Sequence, residues 1–448
     1  MRHGRILPSS PSSSAEPLSR FRHSIDKKAG AGGRVGYAKS ALASRTTATD
    51  ADADQPSTTT RLVSLFSRLC TPFRRSPTFN GDLQHVKSLL YNKEYLAAFG
   101  TDTHAGERWR EVYVARWTPA RAVVYQRILD ECAIAEALQW VEPASHRVLS
   151  EEEELERERE RARRRRQARK EGKAVDELDA ADEDGGAKGP QGDVPEELDV
   201  VMIGAGAGSE VVALGAVLGA AKEATSGDAS ALGEGPAAKP FRRPRVKAHA
   251  ADQGSWMTLL GKMEGELRDE WPALEGDEAT GGGFSVDFVR GDVLAAAPQS
   301  SPSVDAAPAP APAPADALGL PFSSPSLRLI TICFTITELL LQSRVSTLRL
   351  LSSISHSAPR GALLLIVESA SLALIPLGKE GRTYPLGHLL DHALAGAQGD
   401  GAWETLRSED ARWYRMPEGA DDVYNAGGQG ALVKLENSRV VIRLYSKK

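Results

Sequence analysis

Residues 198–210 read LDVVMIGAGAGSE, and the fold follows from this stretch. Val200 to Ile203 form an unbroken apolar run, as expected of a parallel strand buried on both faces. Gly204, Gly206 and Gly208 then permit a tight turn where backbone can approach a ligand. The run VVALGAVLGAAKEA after Glu210 is apolar and Ala-rich, and is expected to be a helix. Strand, glycine loop and helix in this order turn the unpaired N–H groups of the helix start toward a nucleotide cofactor.

The spacing narrows the cofactor. A dinucleotide fingerprint needs its third glycine three positions after Gly206, where this chain has Ser209. GxGxG followed by Ser-Glu resembles motif I of the class I S-adenosyl-L-methionine-dependent methyltransferases. That resemblance implies a cofactor loop made of Gly204, Ala205, Gly206, Gly208 and Glu210. The alternative is that the glycines serve only a tight turn.

Elsewhere the composition is uneven. Among 448 residues there are 26 Pro and 41 Gly, so one main core with long insertions is expected. Cys70, Cys132 and Cys333 lie far apart without metal-ligand spacing, so neither a disulfide framework nor a metal site is expected, and an intracellular compartment fits best. The longest apolar runs carry Arg328, Glu338 and Glu368 and are short for membrane spans. A net charge of -5 argues against a uniformly basic nucleic-acid binder but leaves room for local basic surface. Residues 1–60 are rich in Ser and Arg, consistent with a disordered tail or a mitochondrial presequence. Residues 150–195 hold the run EEEELERERERARRRRQARK, a solvated charged helix or an RNA or nuclear-import patch, followed by a flexible link.

Residues 61–149 show apolar spacing of three and four, expected of a helical domain, with Thr118 as N-cap and Pro119 at the first position of its last helix. Trp117, Arg121 and Tyr125 either clamp nucleic acid or pack a seam. Residues 196–448 carry the strands. RVKAHAAD ends at Asp252, expected to reach a ribose hydroxyl or to cap a helix, with Trp256 over an adenine or in the core. FSVDFVR leads to Asp292 and Val293, positioned for an adenine or a turn. LRLITIC leads to Phe334, Thr335, Thr337 and Glu338, facing the transferred methyl group or forming a capping box between Thr335 and Glu338. GALLLIVE is a fifth strand, WETLRSEDARWYRMPEG a polar segment, and residues 432–445 a closing strand or hairpin. Low-complexity loops are expected at 225–244 and 295–326.

LYNKEYLAAFG, YVARWTPARAVVY, ICFTITELL, PRGALLLIVESA, YPLGHLLDHAL and KLENSRVVIRLY together resemble the fungal 25S rRNA (uridine-N3)-methyltransferase family. The resemblance implies an α/β fold, a Rossmann-like doubly wound seven-stranded class I methyltransferase sheet of five parallel strands closed by an antiparallel pair. It implies S-adenosyl-L-methionine as cofactor and, as partner, large-subunit rRNA or a pre-ribosome, with no metal or membrane, acting as a monomer. Its motif carries Asn where this chain has Thr337. Glu338 is the candidate for orienting the base or accepting the imide proton, and Arg121, Lys434, Arg439 and Arg443 are candidate phosphate contacts, the alternative being ordinary surface charges. A nuclear, nucleolar or cytoplasmic location follows, with the mitochondrion second. The rival readings are a protein methyltransferase, an inactive cofactor-binding assembly factor and a nicotinamide dehydrogenase.

Overall fold

The apolar run of the glycine-loop motif alternates its side chains between two cores. In the computed structural model, which describes residues 56–141, 196–228, 241–277, 280–295, 318–376, 382–396, 401–428 and 430–448, Val200 and Met202 face one core, and Val201 and Ile203 the other. Expectations for the tail before residue 56, the charged insert and the two low-complexity loops lie largely outside the described residues.

The N-terminal part is helical: α1 (Thr58–Arg74), α2 (Phe79–Tyr91), α3 (Tyr95–Phe99), α4 (His104–Glu131) and α5 (Ile134–Ala137). Ser57 and Thr103 cap α1 and α4 by accepting from Thr60 N and Gly106 N. α4 runs unbroken through Thr118 and Pro119, which corrects the expected helix start there. Pro119 lacks the N–H that would reach the Ala115 carbonyl. The Tyr424 hydroxyl donates to that carbonyl instead, at 2.6 Å, so a residue 309 positions away completes the helix.

The remainder alternates strand and helix: β1 (Glu197–Ile203), α6 (Ser209–Asp228), β2 (Arg245–Asp252), α7 (Met257–Glu270), β3 (Phe284–Arg290), β4 (Leu327–Cys333), α8 (Ile336–Gln342), α9 (Arg344–Ser357) and β5 (Leu363–Ser369). A small hairpin follows, β6 (Leu374–Pro376) with β7 (Thr383–Pro385), and then α10 (Leu386–Leu394), β8 (Trp403–Tyr414), α11 (Ala420–Asn425) and β9 (Ser438–Lys447). The seven-stranded sheet has the order β3-β2-β1-β4-β5-β9-β8. Its first five strands are parallel, and β9 is antiparallel to both neighbours. The order reverses direction between β1 and β4, the switch point at which ligand crevices open beyond the strand ends.

Two details differ from expectation. The antiparallel partner of β9 is the segment expected to be merely polar, and residues 432–445 form no hairpin of their own. β8 is an edge strand with most of its side chains exposed, so it lacks the apolar alternation that marks a strand in sequence. The N-terminal helices also share a core with the sheet: Leu62, Phe66, Val124 and Ile128 pack in the same cluster as Val200, Val211 and Leu214. α8, α9 and α10 cover the opposite face through Leu339, Leu350, Ile354 and Leu390.

Candidate functional site

A cavity of about 490 Å3 lies beyond the carboxyl ends of β1, β2, β3 and β4, and is roofed by α3 and α4. That is the size of an ordinary small-molecule site. Gly204 and Gly208 have φ of 78° and 77°, a backbone region that side chains disfavour. A Cβ at Gly204 would collide with Thr335 at 2.1 Å, and one at Gly206 with the Trp256 indole at 2.0 Å. The space over Gly206 is therefore filled by a core side chain.

Asp252 ties this corner together. One carboxylate oxygen accepts from Gly254 N at 2.7 Å and Trp256 Nε1 at 2.9 Å, and the other from Gly206 N at 3.2 Å. Burial raises its pKa, against the lowering effect of those donors. Its side chain still lines the cavity. Trp256 is 2% exposed and both packs the core and lines the cavity. Ala205 is buried behind the loop.

Glu210, in the first turn of α6, is buried, and its Oε1 has no hydrogen-bond partner. Desolvation pushes its pKa up to about 8. A buried acceptor without a partner beside a glycine loop fits a ligand that brings a donor.

The strand-three and strand-four motifs divide. Val293 lines the cavity, but the Asp292 carboxylate accepts from Leu294 N at 2.9 Å and from Gln342 Nε2 at 3.1 Å, in the manner of a turn. Phe334, Thr335 and Glu338 line the cavity. Thr337 is 3% exposed and turns away, its N–H and hydroxyl both donating to Glu368. This corrects the expectation that it faces the methyl group: the first turn of α8 points it at β5. The capping box is also absent, because Thr335 makes no cap bond and its hydroxyl donates to the Cys333 carbonyl.

Glu338 is the acid that faces the cavity from this motif. Desolvation, reinforced by Glu368 and Asp252, pushes its pKa up to about 7 against the opposing effects of Arg121 and the Tyr95 hydroxyl. Arg121, from α4, donates to the Tyr113 hydroxyl at 2.5 Å, and its guanidinium lies 4.9 Å from the Phe334 ring centroid. Burial works against its charge, yet Tyr113, Tyr125 and Glu338 hold its pKa above the usual arginine value. Tyr95 and Tyr113 were not singled out from sequence. Both sit in the blocks LYNKEYLAAFG and YVARW that carry the family resemblance.

The expected phosphate contacts also separate. Lys434 and Arg439 are exposed. Arg443 is 1% exposed and bonded to Asp391 and Asp410, so it is a buried structural cation and not a phosphate ligand. Among the described residues no cluster of His, Cys, Asp and Glu could hold a metal ion, and no helix is long and apolar enough to cross a membrane.

The chain is similar to the 25S rRNA (uridine(2843)-N(3))-methyltransferase of Saccharomyces cerevisiae, 26% identical over 371 residues that cover 82% of this chain and 77% of the relative. Similar solved structures include a SAM-dependent methyltransferase from Methanosarcina mazei, with TM-score 0.28 and 11% identity over 56% of this chain and 93% of that one. TehB from Haemophilus influenzae has TM-score 0.26 and 13% identity over 61% and 62%. Residues 66–446 match the family model described as "Putative SAM-dependent methyltransferase". Because that match spans most of the chain, and the sheet has the order of a class I methyltransferase, this chain belongs to that family of S-adenosylmethionine-dependent enzymes.

Proposed function

We propose that this chain methylates N3 of a uridine in large-subunit rRNA. The observation that carries the reading is the similarity to the yeast 25S rRNA enzyme over 82% of the chain, and the cavity chemistry supports it. The cofactor supplies an activated methyl group on a sulfonium. The protein's task is then to hold N3 in line with that methyl and to take away the imide proton.

Gly204, Ala205, Gly206 and Gly208 form the cofactor loop, with Glu210 Oε1 free to accept from the cofactor's amino group. Asp252 would hold the ribose, and Val293 and Phe334, which also line the cavity, would hold the adenosine. Asp292 supports the turn behind Val293. Glu338 is the proton acceptor, and Thr335 packs Gly204 into place. The Glu338 carboxylate would take the N3 proton, from its place in the cavity lining. Thr337 bonds Glu368 outside the cavity lining, so its departure from the family's Asn leaves the lining unchanged, which favours a working enzyme over an inactive assembly factor.

Because N3 lies on the pairing edge, the uridine must be unpaired or flipped out. An rRNA substrate puts the enzyme in the nucleolus, nucleus or cytoplasm. Mass-spectrometric mapping of rRNA modifications with and without the protein tests the reading. Loss of a single 3-methyluridine is expected, and an unchanged map overturns it.

A further inference from the structure

A second cavity, of about 500 Å3, opens between α4, the end of β5 and the β8–β9 pair. It shares Arg121 and Phe334 with the cofactor cavity. These two side chains lie against each other and form a partition. Phe334 is held there with φ of 52°, a left-handed conformation that a bulky residue adopts only where its surroundings impose it.

The far wall has a regular origin. Trp413 on β8 stands directly opposite Arg439 on β9, so their side chains share one face of the sheet edge. Trp413 is 60% exposed. On the near wall, the Arg116 guanidinium lies 5.7 Å from the Trp117 ring. The cavity thus holds three arginines against one glutamate, Glu436, which is itself paired with Arg116. Cations beside the exposed plane of Trp413 suit an unstacked base and its phosphates.

Methyl transfer requires the acceptor to approach from the side opposite sulfur, and a second cavity meeting the first at a two-residue partition provides that approach. We infer that this cavity receives the target nucleotide of an unpaired RNA segment, an inference that rests on the rRNA methyltransferase reading above. Trp413 stacks on the nucleotide, and Arg439 meets a flanking phosphate. The uracil edge parts Arg121 from Phe334, whose contact closes the partition here, to reach Glu338. Arg121 then faces the ring oxygens that take up negative charge as the imide proton leaves.

The test uses the full chain with large-subunit rRNA purified from cells lacking the enzyme. Trp413→Ala and Arg439→Glu are expected to raise KM for the RNA at least tenfold, with cofactor affinity by calorimetry unchanged. Trp413→Phe is expected to restore most of the loss. Arg349→Glu, an exposed charge reversal on α9 away from the cavity, is the control and should match the parent. If the parent methylates this RNA and both cavity variants keep its KM, the cavity assignment is wrong while the uridine reading stands. If the parent binds cofactor but leaves the RNA unlabelled, the uridine reading fails and takes this inference with it.

Discussion

At Glu338 the environment sets the chemistry. An exposed glutamate would be ionised across the whole physiological range, but burial pushes this carboxyl up to about 7, so its basic form is lost in mildly acidic solution. In the proposed role of proton acceptor it would make kcat/KM rise with pH and level off above about 7. Glu338→Gln should lower the plateau about 100-fold or more and remove that inflection; a variant with the parent's rate and profile would move the proton elsewhere. The same burial has a thermodynamic side. Between the ordinary 4.5 and the raised values of about 7 and 8, the folded state keeps protons on Glu338 and Glu210 that the unfolded chain has released. Their contribution to stability is therefore complete below pH 4.5 and is lost as pH rises through that window, by at most about 1.4 kcal/mol per pH unit for each group. Urea midpoints at pH 5.5 and 8 should show the fall, and Glu210→Gln should flatten it. Gly206 is a different case, because its missing side chain makes room for Trp256. Gly206→Val should displace the indole from Asp252, cost about 1–3 kcal/mol by overpacking and weaken cofactor binding more than tenfold. Calorimetric titration checks the affinity, and an unchanged value would make the loop only a turn.

Among the elements, α4 shows how a local rule is overridden. Thr-Pro is a helix-start signal, yet the helix continues because Tyr424 of α11 supplies the donor that Pro119 lacks. Tyr424→Phe should leave a buried carbonyl unpaired and cost about 1–3 kcal/mol in urea unfolding; a neutral result would mean that the helix bends to find another donor. β8 carries the converse lesson. Its exposed, charged face hides a strand that the register with β9 places at the sheet edge.

The molecule as a whole is held together between its N-terminal helices and the nucleotide half of the sheet. Arg61 of α1 bonds Glu223 at 2.5 Å and Glu270 at 2.9 Å, with its guanidinium 4.6 Å from the Trp271 ring. These groups are half-buried, so Arg61→Ala should cost about 2 kcal/mol, between the small value of an exposed pair and the larger one of a buried pair. Thermal unfolding should stay a single transition, because both parts share one core; separate transitions would mean that the helices melt alone. This docking brings Tyr95, Tyr113 and Arg121 over the strand ends, and so completes the cavity there from a part of the chain remote in sequence.

The glycine loop, the five parallel strands and the acids at their ends were legible in the residues, because short-range spacing and unbroken apolar runs encode them directly. The proposed rRNA substrate rests on similarity to a relative and not on the loop. Which of those acids face the cavity was not legible: Asp252 and Glu338 do, Asp292 binds its own turn, and Arg443 is buried against two aspartates. Side-chain direction depends on long-range partners, such as Glu368 drawing Thr337 toward β5 or Tyr424 completing α4. Spacing along the chain carries no record of those partners, and packing between distant segments creates them.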